Sequence, residues 1–525
     1  MAKQEKKIVK NILPMILVIL DGWGIAEPSI GNAITLAKTP TMNGLIKKFP
    51  STKLFAHGKY VGLPADQPGN SESGHMNIGA GRIVEQDVIK IDKSINDGTF
   101  YKNPAFFEAI RHVKKNKSKL HLMGMISNGM SAHSDPKHLS ALLELAKNYQ
   151  VKEVYLHLFT DGRDSPKYSS LKLIQEIRKT FKNGECIATI IGRFYAMDRK
   201  KTWERTEKAY NALVGGEGRQ AESAEAAITE SYNRGENDEF IEPYIIYQDG
   251  KMTPRISDND SVIFFNLRSD RARQLAKVFV QKEFCLLNGE CFSRTKDVKN
   301  LRFVAMTDFG PDLDSILSAY PSADIKETLP IALKELKQLY LAETEKYAHV
   351  TYFFNGGYAN PVDGEARRLI PSPDVKSYDL TPEMSSEKLK KEVINNLNKN
   401  KYDFTVLNFA SPDMIGHTGN LDAGIKCCHK VDGYLGEIVS EYLKVNGTVL
   451  VTADHGNIEE MINLKTGEID TEHSTNQVPF ILVNKRLLNK IKLREKGVLG
   501  DIAPTILELL ALNKPKEMTG KSLII

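Results

Sequence analysis

The apolar run Met15-Ile-Leu-Val-Ile-Leu20 stops at Asp21-Gly-Trp-Gly24, and the same arrangement recurs along the chain. Further short apolar stretches at 120–125, 154–159, 187–191, 262–267, 303–306, 350–354, 404–409, 448–451 and 480–483 read as strands, with amphipathic stretches between them. Strands this poor in polar residues are buried on both faces, as parallel strands are. The expected class is therefore α/β with a doubly wound sheet. A length of 525 residues is too great for one core, so two or more domains are expected.

The residues at the strand ends divide the chain. Asp21 comes after the first run, Ser411-Pro-Asp-Met-Ile-Gly-His417 after the eighth and Thr452-Ala-Asp-His-Gly-Asn457 after the ninth. Strands in the middle end instead in Asp161-Gly-Arg-Asp164, Gly192-Arg193 and Arg268-Ser-Asp-Arg271. Ligands of doubly wound sheets sit beyond the carboxyl ends of the strands. Carboxylates and imidazoles thus belong to both ends of the chain, and arginines to its middle. The simplest architecture is one α/β domain built from residues 1–87 and 318–525, with a second α/β domain, 88–317, inserted. Phe309-Gly-Pro-Asp312 marks the second crossing, and 214–260, rich in Gly, Glu and Asn, reads as irregular surface structure.

Composition removes several function classes. Lys and Arg number 71 against 66 Asp and Glu, a net +5, and the basic residues are scattered, which is not a nucleic-acid footprint. Five cysteines, an odd number with no CxxC pair, argue against a disulfide framework and for a reducing cytosol. Cys428 fits the helical apolar stripe Ile425, Cys428, Val431, Leu435, Ile438, Tyr442 and reads as core. Lysines before Ile12 give the N-terminus the look of a signal peptide. However, the apolar run is too short to span a bilayer and has no small-residue cleavage pattern after it, so a buried strand explains it better. No other stretch looks transmembrane, and a soluble cytoplasmic protein is expected.

Asp21, Asp413, His417, Asp454, His455 and His473 could hold cations. Mixed carboxylate and imidazole ligands suit Mn or Zn, and Mg where oxygen dominates. Asp413 and His417, four apart, share one side of a helical turn. Asp454 and His455 are adjacent and alternate sides on a regular strand, but at a bend they could serve two ions or two sides of one. Six such residues are enough for two metals with open positions, an arrangement that clamps both oxygens of a phosphoryl transfer and activates a hydroxyl. That gives a use to the serine of Gly69-Asn-Ser-Glu-Ser-Gly-His75, read as a loop. No GxSxG signature is present, so metal activation of Ser71 is preferred to a triad; Ser73 and His75 are rivals by position.

Arg163, Arg193, Arg199, Arg268 and Arg271 lie at or just after strand ends of the middle region. The guanidinium fork grips carboxylate and phosphate bidentately, so several at one sheet end imply a small, strongly anionic ligand. Asp164 could then hold hydroxyl groups, and His133 could add a donor.

The strings GNSESGH, DGRDSP at 161, GRFYAMDR at 192, FFNLRSDRARQL at 264, AETEKYAHVTYFFNGG at 342, SPDMIGHTGN at 411 and TADHGN at 452 resemble those of the cofactor-independent phosphoglycerate mutases, in order over nearly the whole chain. That family belongs with the alkaline-phosphatase-like metalloenzymes. The resemblance implies an alkaline-phosphatase-like sheet domain carrying the nucleophilic serine, and an inserted substrate-binding (phosphotransferase) domain. It implies interconversion of 3- and 2-phosphoglycerate in glycolysis and gluconeogenesis through a phosphoserine at Ser71, without bisphosphoglycerate. Two divalent ions, Mn2+ first and Mg2+ or Co2+ as alternatives, would be held by Asp21, Ser71, Asp454 and His455, and by Asp413, His417 and His473. Substrate contacts would fall on His133, Arg163, Asp164, Arg193, Arg199, Arg268, Arg271 and Lys346. Lys346 would offset phosphoryl charge, and Asp164 would orient glycerate hydroxyls or move a proton. Domain closure over the substrate is expected, in a monomer whose partner is the small-molecule phosphoglycerate and neither nucleic acid nor membrane. The rival readings are a metal-dependent phosphatase or other phosphomutase, and a metal-stabilised scaffold without activity.

Three positions depart from the family pattern. Ser73 replaces an apolar residue, Asn128 stands for Asp in a string one residue longer before His133, and Glu472 precedes His473.

Overall fold

Met15–Leu20 is a fully buried strand in the middle of a sheet, paired in parallel with Phe404–Phe409 on one side and Thr448–Thr452 on the other. An unbroken apolar run is satisfied only where both faces are covered, and this position covers both. The computed structural model describes residues 12–129, 131–310, 312–313, 315–321 and 325–525. Lysines before residue 12, Met130 in the stretch before His133, and Pro311 of the expected crossing lie outside the described residues. Packing divides the chain into two units, Met1–Gln86 with Asp324–Ile525, and Asp87–Ala323.

The first unit holds an eight-stranded sheet in the order Glu365–Ile370, Gln338–Glu343, Phe404–Phe409, Met15–Leu20, Thr448–Thr452, Val478–Val483, Ser51–Phe55, Lys496–Val498. Only Val478–Val483 runs antiparallel to its neighbours. The helix Leu421–Lys444 buries Cys428, Val431, Leu435, Ile438 and Tyr442 in the same core as this sheet, as the stripe required.

The second unit holds Leu317–Tyr320, Arg302–Thr307, Ser261–Phe264, Leu120–Met125, Val154–Thr160, Cys186–Gly192, Tyr244–Gln248 and Arg219–Ala221 in that order, with Lys251–Met252 against Tyr244–Gln248. The first six are parallel, and Tyr244–Gln248 reverses. Alternate residues feed two cores: Leu120 and Leu122 join one, Met123 and Met125 the other.

Several sequence expectations need correction. Residues 350–354 are no strand: His349–Phe353 is a helical turn in which Phe354 N–H donates to the His349 carbonyl at 3.0 Å. Burial at Val350, Thr351 and Phe354 but not Tyr352 matches helical spacing, and the strand of this region is Gln338–Glu343, masked by its charged flanks. The stretch 214–260 is not irregular. It contains the helix Ala224–Asn233 and the strand Tyr244–Gln248, whose Tyr244, Ile245 and Ile246 are buried. Leu317–Tyr320 belongs to the second sheet, so the second crossing lies beyond residue 320 rather than at 317–318. Cys285 and Cys291 form a local disulfide. Gly289, at φ 60°, turns the chain after the short helix Phe284–Asn288 and leaves the two Cα atoms 5.3 Å apart. Cys186, Cys427 and Cys428 are free and buried. Among the described residues, no helix is long and apolar enough to cross a membrane.

Candidate active site

Four adjacent parallel strands of the first unit deliver functional groups from their carboxyl ends. Asp21 comes after Met15–Leu20, Asp413 and His417 after Phe404–Phe409, Asp454 and His455 after Thr448–Thr452, and Lys346 after Gln338–Glu343. His473 lies just before the antiparallel Val478–Val483 and so reaches the same end. Ser71 is not in a loop. It is the first residue of the helix Ser71–Ala80, capped by Asn70, which accepts from the Ser73 N–H at 2.9 Å. Gly74 lets this helix lie against the Asp454 loop, since a Cβ there would meet the Asp454 carbonyl oxygen at 2.6 Å. The serine therefore sits at the partly positive end of a helix dipole.

Ser71 Oγ lies 2.6 Å from Lys346 Nζ, 3.0 Å from His455 Nε2 and 3.3 Å from Asp21 Oδ1. Lys346 Nζ also donates to Asp21 Oδ1 and Asp413 Oδ2, both at 2.6 Å. Of the two rivals, Ser73 points elsewhere: its hydroxyl donates to the Asn70 carbonyl at 3.2 Å. The His75 ring supports the site from behind, with Nδ1 2.8 Å from the Ser71 carbonyl oxygen and 3.1 Å from Asp454 Oδ2, and Nε2 3.0 Å from Asn408 Nδ2. Two residues not singled out from the sequence hold the carboxylates: Asn408 donates to Asp21 Oδ2 at 2.6 Å, and Asn457 to Asp413 Oδ1 at 2.8 Å. An amide inside the apolar strand Phe404–Phe409 is the one available signal for Asn408.

The donor set forms two groups that could each hold a cation, Asp21–Asp454–His455 and Asp413–His417–His473. His417 and His473 carry the sharper sign. Their Nδ1 atoms sit 2.7 and 2.8 Å from the Thr471 and Gly69 carbonyl oxygens, which makes both Nδ1 atoms the donors. In the neutral rings both Nε2 atoms present bare lone pairs, which face one another at 3.0 Å and Asp413 Oδ1 at 3.4 and 3.3 Å; burial opposes a charge on His417, and Asp413 overcomes it and raises the imidazole above its ordinary value. Lone pairs converging with a carboxylate are what a metal ion relieves. Three buried carboxylates, Asp21, Asp413 and Asp454, also outnumber the one ammonium among them. The residues fit two divalent ions.

Electrostatics agree. Burial opposes charge throughout, but Lys346 and His417 outweigh it and hold the Asp413 carboxyl well below the usual range. Burial and Asp454 push Asp21 up, and Lys346 with His455 more than offsets them. Burial works against protonated His455, and Asp454 with Asp21 overcomes it, raising the imidazole to about 9. Burial and His455 push His473 down to about 4.

In the second unit the arginines lie beyond the carboxyl ends of parallel strands: Arg163 and Asp164 after Val154–Thr160, Arg193 and Arg199 after its neighbour Cys186–Gly192, Arg268 and Arg271 after Ser261–Phe264, one strand removed. His133 comes after Leu120–Met125, and its carbonyl accepts from the Leu267 N–H at 2.8 Å. Arg193 is buried, pairing with Asp161 and, at 3.0 Å, with Asp164 Oδ2. Ser131 donates to that same Asp164 oxygen at 2.7 Å. Arg199 and Arg268 both pair with Asp270, at 2.9 and 3.4 Å, and Arg163 with Glu239 at 3.7 Å. Burial, then Arg193, Arg199 and Arg163, lowers the Arg271 guanidinium to about 10, the mark of cations crowded together. Burial and Arg268 push His133 down to about 3, so it is a neutral imidazole at pH 7. The acids that hold these arginines in place, Asp161 and Asp270, are not marked by any spacing in the sequence.

Comparison with known proteins bears on this arrangement. Residues 13–514 match the model of the Metalloenzyme superfamily. A 2,3-bisphosphoglycerate-independent phosphoglycerate mutase of Clostridium kluyveri is 50% identical, covering 97% of this chain and 99% of that protein. A protein of the same description from Clostridium tetani is 48% identical over 98% and 99%. A solved structure of Leishmania mexicana phosphoglycerate mutase, at low cobalt concentration, superposes with a TM-score of 0.83 at 29% identity over 98% of both chains. With relatives this similar along its whole length, and a family model matched over residues 13–514, the chain belongs to the 2,3-bisphosphoglycerate-independent phosphoglycerate mutases of the metalloenzyme superfamily.

Proposed function

We propose that this chain, an isomerase by family, interconverts 3-phosphoglycerate and 2-phosphoglycerate by passing the phosphoryl group through Ser71. The carrying observation is that the Ser71 hydroxyl is the one in its segment that meets Lys346, His455 and Asp21 together. Ser71 Oγ bonds to phosphorus as the bond to the glycerate oxygen breaks, and the serine proton passes, net, to that departing oxygen. The other glycerate hydroxyl then bonds to the same phosphorus, and its proton returns, net, to Ser71 as that oxygen is released. Lys346 Nζ, 2.6 Å from that oxygen, offsets negative charge on the phosphoryl group, and the N–H groups opening the helix Ser71–Ala80 aim the same way.

Two divalent ions, with Mn2+ the first choice and Mg2+ or Co2+ the alternatives, would be held by Asp21, Ser71, Asp454 and His455 and by Asp413, His417 and His473. They would supply a lowered hydroxyl pKa and a clamp on oxygens. Arg163, Arg193, Arg199, Arg268 and Arg271 with neutral His133 bind the carboxylate and phosphate of the substrate. Asp164, held by Ser131 and Arg193, orients the glycerate hydroxyls. No bisphosphoglycerate enters. The scattered charge and net +5 support the absence of a nucleic-acid partner, and a cytoplasmic monomer without a membrane partner completes the reading.

Phosphorus NMR of metal-loaded protein with 3-phosphoglycerate alone, beside Ser71→Ala, tests the reading. Growth of 2-phosphoglycerate in the wild type only is the expected result. Release of free phosphate without 2-phosphoglycerate would overturn it.

A further inference from the structure

Glu459 is buried at 1% exposure, and its carboxylate takes four hydrogen bonds from three separate loops. Oε2 accepts from the backbone N–H of Gly24 at 3.0 Å and of Asn457 at 2.9 Å. Oε1 accepts from the Ser474 hydroxyl and from the Asn476 amide, the latter at 3.0 Å. Each loop carries candidate ligands. Gly24 closes the turn that opens with Asp21, Asn457 closes the turn of Asp454 and His455, and Ser474 is next to His473. Glycine backbone makes room for the carboxylate: a Cβ on Gly24 or Gly456 would come within 2.2 or 2.3 Å of Oε1. The loops have other ties, such as the Ser474 N–H to the Gly456 carbonyl at 3.0 Å and the Ile458 N–H to the Gly22 carbonyl at 3.1 Å. Glu459 is the side chain that reaches all three.

We infer that Glu459 is a positioning residue of the metal centre, one buried carboxylate that sets the spacing of Asp21, Asp454, His455 and His473. It spans both cation groups, because His473 belongs to one and the other three residues to the second. Its hydrogen bonds go to the loops and not to the ligand side chains, so it acts through them. A carboxylate suits the place because all four partners are donors, and only a group with acceptors on both atoms satisfies them. Glutamine keeps the shape but turns one end into a donor facing donors. That end would lose its bonds and free one side of the clamp. Outer groups of this kind carry ~10–100-fold in metal affinity.

The inference rests on the metal-centre reading above, and the experiment separates the two. Metal-free full-length protein is titrated with Mn2+ by calorimetry, with stoichiometry from equilibrium dialysis, for wild type, Glu459→Gln and Ser474→Ala. Each is first shown folded by its thermal transition without metal. Expected are two ions on the wild type, an Mn2+ Kd raised about tenfold or more in Glu459→Gln, and a smaller rise in Ser474→Ala, which removes one donor of four. Ser474→Ala carries the test if the glutamine variant does not fold. A purely structural role would lower the metal-free transition and leave the Mn2+ Kd of the folded protein unchanged, and that result would overturn the inference alone. A wild type that takes up no Mn2+ would overturn the metal reading and this inference with it.

Discussion

Lys346 Nζ lies 2.6 Å from Ser71 Oγ, and the same ammonium bridges Asp21 and Asp413 at 2.6 Å each. The lysine therefore touches the proposed nucleophile and one carboxylate from each cation group. Burial opposes its charge, but Asp21, Asp413 and Asp454 raise its pKa above the ordinary range, so it is a permanent cation at neutral pH. Lys346→Met keeps the stem and removes the charge. Metal-loaded enzyme should lose ~10²–10³ in kcat, the scale of a lost charge-stabilising donor. Metal-free protein should lose about 3–5 kcal/mol, because buried carboxylates are left uncompensated, and saturating Mn2+ should restore much of that. A variant with wild-type kcat would remove the lysine from the chemistry.

Ser73, the departure beside Ser71, gives a sharp contrast. Its hydroxyl donates to the Asn70 carbonyl at 3.2 Å, along its own helix turn and not toward the groups around the Ser71 hydroxyl. Ser73→Ala should leave activity within about threefold, since a lone side-chain bond of this kind contributes ~1 kcal/mol to stability and none to the transition state. Ser71→Ala should abolish turnover and the acid-stable phosphate that labelled substrate leaves on the protein. Label retained in Ser71→Ala and lost in Ser73→Ala would move the nucleophile.

A pH dependence is built into the second sheet. His121 and His157 are fully buried on adjacent strands with Nδ1 and Nε2 2.9 Å apart; His121 Nε2 faces Asp260 at 3.1 Å and His157 Nδ1 faces Thr189 at 2.9 Å. With both rings neutral and Asp260 as acceptor, His121 Nε2 donates, its Nδ1 accepts from His157 Nε2, and His157 Nδ1 accepts from the Thr189 hydroxyl. Burial pushes both imidazoles below the ordinary value, His157 well below, and His121 adds to the push on His157. The folded state then binds fewer protons than the unfolded one below about pH 6.5, so stability falls as pH drops through that value. Urea midpoints should decrease from pH 7.5 to 5.5 in the wild type and change less in His157→Gln. Equal slopes in the two proteins would contradict the neutral pair.

Much of this is legible in the sequence, and the failures have physical causes. Strand ends carrying Asp21, Asp413 and Asp454 stand out because a charge closing an apolar run has nowhere to go but the sheet end. Residues 350–354 mislead because β-branched and aromatic residues fill a buried helical turn as readily as a strand when tertiary packing decides. Ser71 looks like loop because Gly, Asn and Ser are turn formers, yet the same residues open helices, and Asn70 caps this one. Asn408, Asn457 and Asp270 are invisible because their task is to hold other side chains, and no spacing rule marks such a residue, whether its partner is 387 positions away, as Asp21 is from Asn408, or 44, as Asp413 is from Asn457.

Arg193 offers the most direct test of the proposed anion-binding cluster. It is 2% exposed, pairs with Asp161 and Asp164, and leaves its buried Nε without a hydrogen-bond partner among the described residues. An unsatisfied guanidinium N–H in a cluster of arginines is a group prepared for an anionic ligand. Burial opposes its charge, and Asp164 with Asp161 restores it, so the cation persists at every accessible pH. Lysine would keep the charge but lose the planar fork, and it cannot hold both aspartates and a substrate oxygen at fixed angles. Arg193→Lys should lower kcat/KM at least ~10²-fold, on the scale of charge-assisted bonds lost at ~1.4 kcal/mol per factor of ten. Much of the loss should fall on kcat, because Asp164 loses its anchor as well, while the Mn2+ stoichiometry stays at the wild-type value. Steady-state kinetics in both directions with metal analysis on the same sample would decide it. A variant that changed metal content and spared kcat/KM would place Arg193 outside the substrate site.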